Sequence, residues 1–330
     1  MYSTTILHTL LFIIGHAFAA YDNSSKTNLA VYWGQNSLHI ESPDPKAQGP
    51  LSQYCADTDV DIIIIAFISA LNNANGEVEL NLANQLWYTP GGQPYPAPIT
   101  GADIKTCQSN NQKTILLSFG GSQTGTEKGY ASDEEAKTGA KKIWDMFGPK
   151  TASSGVRPFG DAVVDGFDFD FEDEAGVFAS RHRDAFIKEL SSIAKAAETA
   201  GGKKFYFSAA PECMQKNSLI SSIKYDMIFV QFYNNPTCDV RKYQSGESAY
   251  TYFTQWDEIA KANGTKFFVG LPGFESAATN GGYVSPTNLT GYLKQAHSLP
   301  NMAGAMVWDA SQAWANDLYH KKVNTALASG

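Results

Sequence analysis

The stretch "DAVVDGFDFDFEDE", residues 161–174, decides how this chain is read. Its apolar part has the length and composition of a buried strand, yet it carries Asp165, Asp168, Asp170 and Glu172 among Phe167, Phe169 and Phe171. Burying one ionised carboxylate without a partner is costly, and crowding several together raises the cost further. Either the segment is no strand, or the acidic groups have chemistry to perform.

The alternation of strand side chains points to the second answer. Asp168, Asp170 and Glu172 share one face, and Phe167, Phe169 and Phe171 share the other. In a closed barrel the phenylalanines would face surrounding helices and the carboxylates the interior. Glu172 would then stand nearest the C-terminal strand ends, where barrel active sites are built. A calcium loop is the competing reading of D-x-D-x-E, but such loops need polar intervening residues and a glycine at the sharp turn. A solvated acidic face fits poorly with phenylalanines opposite and apolar flanks. Neighbours on one strand face lie roughly 6–7 Å apart. At that distance two charges repel by about 2–3 kcal/mol at an effective dielectric near 20, or close to two pKa units. The group should therefore retain a shared proton near neutral pH, which a general acid requires.

Outward from this stretch, short apolar runs recur as buried parallel strands should. They are "NLAVYW" (28–33), "DIIIIAFI" (61–68), "TILLSF" (114–119), "VVDGFDFDF" (163–171), "KFYFSAA" (204–210), "DMIFVQFY" (226–233), "KFFVGLP" (266–272) and "AGAMVW" (303–308). Helix-like stretches lie between several of them. "SDEEAKTGAKKIWDMFG" offers Ser132 as an N-cap with acidic residues in the first turn. "RDAFIKELSSIAKAAETAGG" ends in a glycine pair suited to a C-cap. Eight strands alternating with helices over about 300 residues predict a single-domain α/β structure, a TIM (β/α)8 barrel over residues 20–330. An open doubly wound sheet is the alternative.

Residues 1–19 have an apolar centre at Leu10–Ile14 and end in Ala17-Phe18-Ala19, the pattern of a cleaved signal peptide. Secretion to the extracellular space, with possible residence in a cell wall, follows as an expectation. The four cysteines, Cys55, Cys107, Cys213 and Cys238, fit two disulfides in an exported protein, with three connectivities open. Their spacing contains no C-x-x-C, so no metal is expected. Sequons at Asn23, Asn263 and Asn288 are compatible with glycosylation. A formal net charge of −8 and the lack of any Lys/Arg run argue against nucleic-acid or anionic-membrane partners, and a monomer is the default.

"DGFDFDFE" resembles the D-x-x-D-x-D-x-E signature of glycoside hydrolase family 18, with every acidic position present. "VYWGQN" (31–36), "LLSFGG" (116–121), "AAPEC" (209–213), "QFYNNPTC" (231–238), "GLPG" (270–273) and "MVWD" (306–309) extend the likeness to the plant- and fungal-type (class III) chitinases. The resemblance implies a TIM barrel that hydrolyses chitin or chitooligosaccharides in an endo fashion, without a cofactor, by substrate-assisted retaining catalysis. No second nucleophilic carboxylate is then needed. It implies Glu172 as general acid/base, Asp170 as the group that holds the acetamido N–H and exchanges a proton with Asp168, and Asp165 as a support for Asp168 from deeper in the strand. Tyr233 is implied as donor to the acetamido carbonyl, with Gln231 and Asn234 nearby, and Trp308 as the floor beneath the cleaved sugar. Tyr32 is implied near the catalytic acid, with Ser118, Gly120 and Gly121 as the third-strand motif. The implied disulfides are Cys55–Cys107 and Cys213–Cys238. Trp87, Tyr88 and Tyr95, in a long Pro/Gly-rich loop, are further candidates for sugar stacking by residue type. Two departures stand out: Glu212 occupies a position where these chitinases usually have Gln, and Met214 one where Pro is common. Relatives that cleave N-glycan cores, or that bind without catalysis, are the alternatives; retention of Glu172, Asp170 and Tyr233 weighs against the second.

Overall fold

The computed structural model describes residues 21–40, 47–85, 97–121, 129–152, 154–172, 175–214, 220–244, 246–247 and 250–330. The expected signal peptide and the aromatic residues Trp87, Tyr88 and Tyr95 lie outside these residues.

Among the described residues nine strands form one sheet: β1 (Asn28–Trp33), β2 (Ile62–Ala70), β3 (Glu79–Leu80), β4 (Thr114–Gly120), β5 (Gly166–Asp170), β6 (Tyr206–Ala209), β7 (Met227–Gln231), β8 (Lys266–Pro272) and β9 (Met302–Trp308). All but β3 run parallel, and β1 pairs with both β2 and β9, so eight strands close into a barrel. The eight apolar runs of the sequence supply these eight strands. The ninth, β3, pairs antiparallel with the end of β2 after a turn in which Gly76 N–H donates to Asn73 C=O at 3.0 Å. At two residues it is too short for periodicity to announce.

Each parallel strand is covered on both faces, which is why its residues read as nearly continuous apolar runs. Along β2, Ile62, Ile64 and Ala66 pack inside the barrel with Ala30, Tyr32, Leu116, Met227, Phe229, Phe268 and Met306. Ile63 and Ile65 alternate outward into a larger layer shared with the helices. Phe167 and Phe169 of β5 belong to that outer layer. Phe169 lies against Phe119, Phe186, Phe207 and Tyr225, and Phe167 against Trp144 and Phe205. The phenylalanine face of the decisive strand therefore holds the helix layer, and the carboxylate face is left to the barrel interior.

The helices start and stop where local chemistry directs. Ser132 Oγ accepts the Glu135 N–H at 3.2 Å and caps Asp133–Phe147, whose first turn carries Asp133, Glu134 and Glu135. Arg183–Thr199 ends where the N–H groups of Gly201 and Gly202 turn back to Glu198 and Ala197. Two disulfides, Cys55–Cys107 and Cys213–Cys238, fasten the chain in the pairing that the family resemblance implies. The second joins the segments that follow β6 and β7, at the mouth of the barrel.

Candidate active site

The carboxylates of β5 enter three different environments. Asp168 is fully buried and accepts three hydroxyl hydrogen bonds: Tyr32 Oη at 2.8 Å, Ser118 Oγ at 2.6 Å and Ser208 Oγ at 2.6 Å. The registers Ser118↔Asp168 and Asp168↔Ser208 explain this, since both serines lie level with Asp168 on the flanking strands β4 and β6. Burial raises the proton affinity of Asp168 and the hydroxyls oppose it; burial prevails.

Asp170 stands one layer higher and is 4% exposed. Gln231, at the end of β7, donates from Nε2 to Asp170 Oδ1 at 2.8 Å and to the Ala210 carbonyl at 2.9 Å. Burial, followed by repulsion from Glu172, Asp168 and Glu212, holds the Asp170 carboxyl well above the ordinary carboxylate range. The raised proton affinity of Asp170 agrees with the shared proton expected of the acidic face.

Glu172 follows β5, is half-buried, and lines a cavity of about 330 Å³ together with Asp170, Gln231 and Tyr233. Its aim is set from behind. Phe171 is buried against Phe178, and the Arg183 guanidinium lies over the Phe171 ring at 3.9 Å. With Phe171 held outward, the next side chain turns inward.

Tyr233 is 5% exposed and lines the same cavity, and its hydroxyl has no hydrogen-bond partner among the described residues. Burial and the neighbouring carboxylates push this phenol well above its ordinary value, so it remains an O–H donor at any working pH. Trp308, at the end of β9, forms an apolar wall. Its ring stacks on Phe67 at 5.7 Å and meets Tyr32 edge-on at 5.5 Å. The next residue, Asp309, is buried, caps Ala310–Ala315 through the Gln312 N–H, and accepts the Ser37 N–H at 3.1 Å, which fixes the strand end beneath the indole.

Other residues singled out in the sequence fall in supporting places. Asn234 adopts a left-handed backbone (φ 60°) and its side-chain oxygen accepts the Asn280 N–H at 3.0 Å, so it fastens the loop after β8 over the cavity. Gly120 and Gly121 have positive φ, and a Cβ on Gly121 would lie 2.6 Å from the Phe67 ring. The Gly121 N–H bonds the Asp170 carbonyl at 2.9 Å, which ties β4 to the acidic strand end. Gly121 reaches the cavity wall. Tyr32, implied near the catalytic acid, is 1% exposed and serves as a hydroxyl partner of Asp168.

One expectation is corrected. Asp165 does not support Asp168 directly, because it has the parity of the outward phenylalanines. It accepts the Ile115 N–H at 2.9 Å, Gln108 Nε2 at 2.8 Å and Lys203 Nζ at 2.8 Å, and so anchors the lower end of the strand to its neighbours.

Sequence reasoning missed Ser208 and Phe67. "KFYFSAA" gave no reason to single out its serine until the register set it against Asp168, and Phe67 sits within an apolar run that reads as core. It noted Glu212 as a departure without giving it a place; the structure sets it in the cavity wall.

The chain resembles known proteins in both sequence and structure. The chain is 41% identical to Endochitinase 33 of Trichoderma harzianum, over 99% of this chain and all of that protein. Its structure is similar to the ICChI chitinase of Ipomoea carnea, with a TM-score of 0.69 and 26% identity over 91% of this chain and 99% of that one. It is similar also to the xylanase and α-amylase inhibitor protein XAIP-II of Scadoxus multiflorus, with a TM-score of 0.69 and 28% identity over 92% and 98% of the two chains. The same barrel thus carries catalytic and inhibitory proteins, and the acidic strand end must be weighed on its own residues. The model of the glycosyl hydrolases family 18 matches residues 28–312, from the first barrel strand to the helix beyond the last, and this chain belongs to that family.

Proposed function

We propose that this chain is a secreted endochitinase that cleaves β-1,4-linked N-acetylglucosamine polymers with retention of configuration. The observation that carries the reading is the cavity in which Asp170, Glu172 and Tyr233 converge above the buried Asp168, with Trp308 as an apolar wall. The endochitinase named above, alike over its whole length, supports both the substrate class and the endo mode.

In this reading Trp308 carries the apolar face of the sugar to be cleaved. Tyr233 donates its hydroxyl to the acetamido carbonyl and Asp170 receives the acetamido N–H, so the acetamido oxygen is turned toward the anomeric carbon. Glu172 gives its proton to the glycosidic oxygen as that bond breaks, and the acetamido oxygen closes on the anomeric carbon. The proton on Asp170 can shift toward Asp168, whose three hydroxyl partners stabilise either protonation state. Glu172, now a carboxylate, takes a proton from the water that opens the oxazolinium ring and is ready for the next turn. The expected signal peptide and the two disulfides support export, and among the described residues no helix is long and apolar enough to cross a membrane.

The test is anomer-resolved product analysis on soluble N-acetylglucosamine oligomers, with a high-mannose glycoprotein as the competing substrate. The reading requires the β-anomer as first product, internal cleavage, and loss of nearly all turnover in Glu172→Gln with the thermal transition retained. Deglycosylation without oligomer cleavage would transfer the site to N-glycan cores. Binding without turnover would make it a lectin-like or inhibitory barrel.

A further inference from the structure

Glu212 is a cavity carboxylate to which the mechanism above gives no task. It lies just beyond β6, three residues past Ala209, whose strand partner is Phe169, and Glu172 lies three residues past Phe169 on the neighbouring chain segment. On its other side it bridges Gln231 of β7. Its side chain is half-buried, lines the cavity, and has no hydrogen-bond or ion-pair partner among the described residues. Its charge is felt inside the site, since it contributes to the repulsion acting on both Asp170 and Tyr233. No Lys or Arg belongs to the described cavity lining.

A second feature favours a ligand in this space: the Tyr233 side chain, 5% exposed, lines the cavity and has no hydrogen-bond partner among the described residues. A cavity with surplus carboxylate and no internal cation favours a ligand that brings its own positive charge. In a chitin chain that charge is available wherever a unit has lost its acetyl group and carries a 2-ammonium. It cannot sit on the sugar whose bond is cleaved, because that unit supplies its acetamido oxygen as nucleophile. Glu172 must stand beside the departing glycosidic oxygen, and Glu212 lines the same cavity from the end of the neighbouring strand.

We propose that Glu212 makes this site selective for partly N-deacetylated chitin, pairing with the ammonium of a glucosamine unit on the leaving-group side of the scissile bond. The inference rests on the chitinase reading of the same cavity.

The experiment compares wild type, Glu212→Gln and Glu212→Asp on roughly half-deacetylated soluble chitin and on fully acetylated oligomers, with mass-spectrometric sequencing of the new non-reducing ends. For wild type, glucosamine is enriched at those ends relative to its content in the polymer, and 0.5 M salt erodes the enrichment. In Glu212→Gln the ratio of kcat/KM on deacetylated to acetylated substrate falls about fivefold, the factor that roughly 1 kcal/mol of ion pairing corresponds to, and the enrichment disappears. Glu212→Asp keeps the charge and retains most of the preference. Equal ratios and equal end composition in wild type and Glu212→Gln overturn the inference while leaving the chitinase reading intact. A wild type that cleaves neither substrate overturns both.

Discussion

Gln231 donates a hydrogen bond to Asp170 at 2.8 Å, a neutral donor set against the repulsion of Asp168, Glu172 and Glu212. One amide bond to a carboxylate is worth roughly 1.5–3 kcal/mol. Burial and three like charges act against it, so the balance raises the proton affinity of Asp170 well above that of an ordinary carboxylate. The strand is thus costly to the fold and useful to the chemistry at the same point, and this conflict is open to measurement.

Asp170→Asn should lower kcat by about 100-fold or more, because the amide cannot take up or pass on the shared proton. The same variant should be more stable than wild type at neutral pH, by about 1–2 kcal/mol. The sign follows from linkage. A carboxyl whose proton affinity is raised by folding holds its proton in the native state over a pH range in which the unfolded chain has released it. Its contribution is fully present below the ordinary Asp value and is lost as pH rises through the elevated native one. Asparagine has no proton to lose. Melting temperatures of the two proteins should therefore lie closest near pH 4 and separate as pH rises toward 8; parallel curves would contradict the assignment.

The pH dependence of kcat/KM should be bell-shaped, with an alkaline limb that reports loss of the shared proton. Glu212 contributes to the repulsion that keeps that proton in place. Glu212→Gln removes one negative charge, makes ionisation of Asp170 easier, and should move the alkaline limb toward lower pH on fully acetylated oligomers. An unmoved limb would mean that the titrating group is electrostatically remote from Glu212.

The barrel and its acidic strand end were legible in the sequence because both rest on period-two alternation, and parallel burial makes each strand an apolar run. The family likeness extended that legibility to the cavity positions of Tyr233 and Trp308 and to both disulfide pairings. Contacts set by register across strands were not legible. Ser208 reaches Asp168 because β5 and β6 pair at a particular offset, and no local pattern in "KFYFSAA" encodes that offset. Asp165 was misassigned for a related reason: membership of the motif suggested a shared task, whereas strand parity turned its side chain outward to Gln108 and Lys203. The short β3 hairpin and the cavity position of Phe67 were hidden by length and by apolar context.

Asp168 offers a separate test of the buried network. Tyr32→Phe and Ser208→Ala each remove one hydroxyl donor from a fully buried carboxyl. Each should cost about 1–2 kcal/mol of stability, because the lone pair that loses its partner cannot reach water. Each should also raise the proton affinity of Asp168 further, weakening its ability to release a proton within the turnover cycle, so that kcat falls more than KM changes. The double variant should be less than additive if the two hydroxyls compensate for one another across the carboxyl. A thermal melt and a steady-state assay on one preparation of each variant suffice.

Trp308 lines the cavity and packs on the barrel core, and its replacement separates the proposed binding role from support. Its ring is half-buried, stacked on Phe67 and set edge-on against Tyr32. Trp308→Ala removes the apolar face on which the cleaved sugar would rest, and aromatic-sized apolar contact is worth roughly 1.5–3 kcal/mol. The expected loss in kcat/KM is about tenfold to a hundredfold. Trp308→Phe keeps a flat ring over Phe67 and should recover most of that loss, since a sugar face is held by shape and apolar area rather than by the indole N–H. If the role of the side chain were packing alone, both variants would lower the melting temperature in proportion to lost volume while kcat/KM stayed near that of wild type. Thermal denaturation paired with oligomer kinetics distinguishes the two: a substrate floor shows a deficit in kcat/KM in the Ala variant that persists well below its melting temperature.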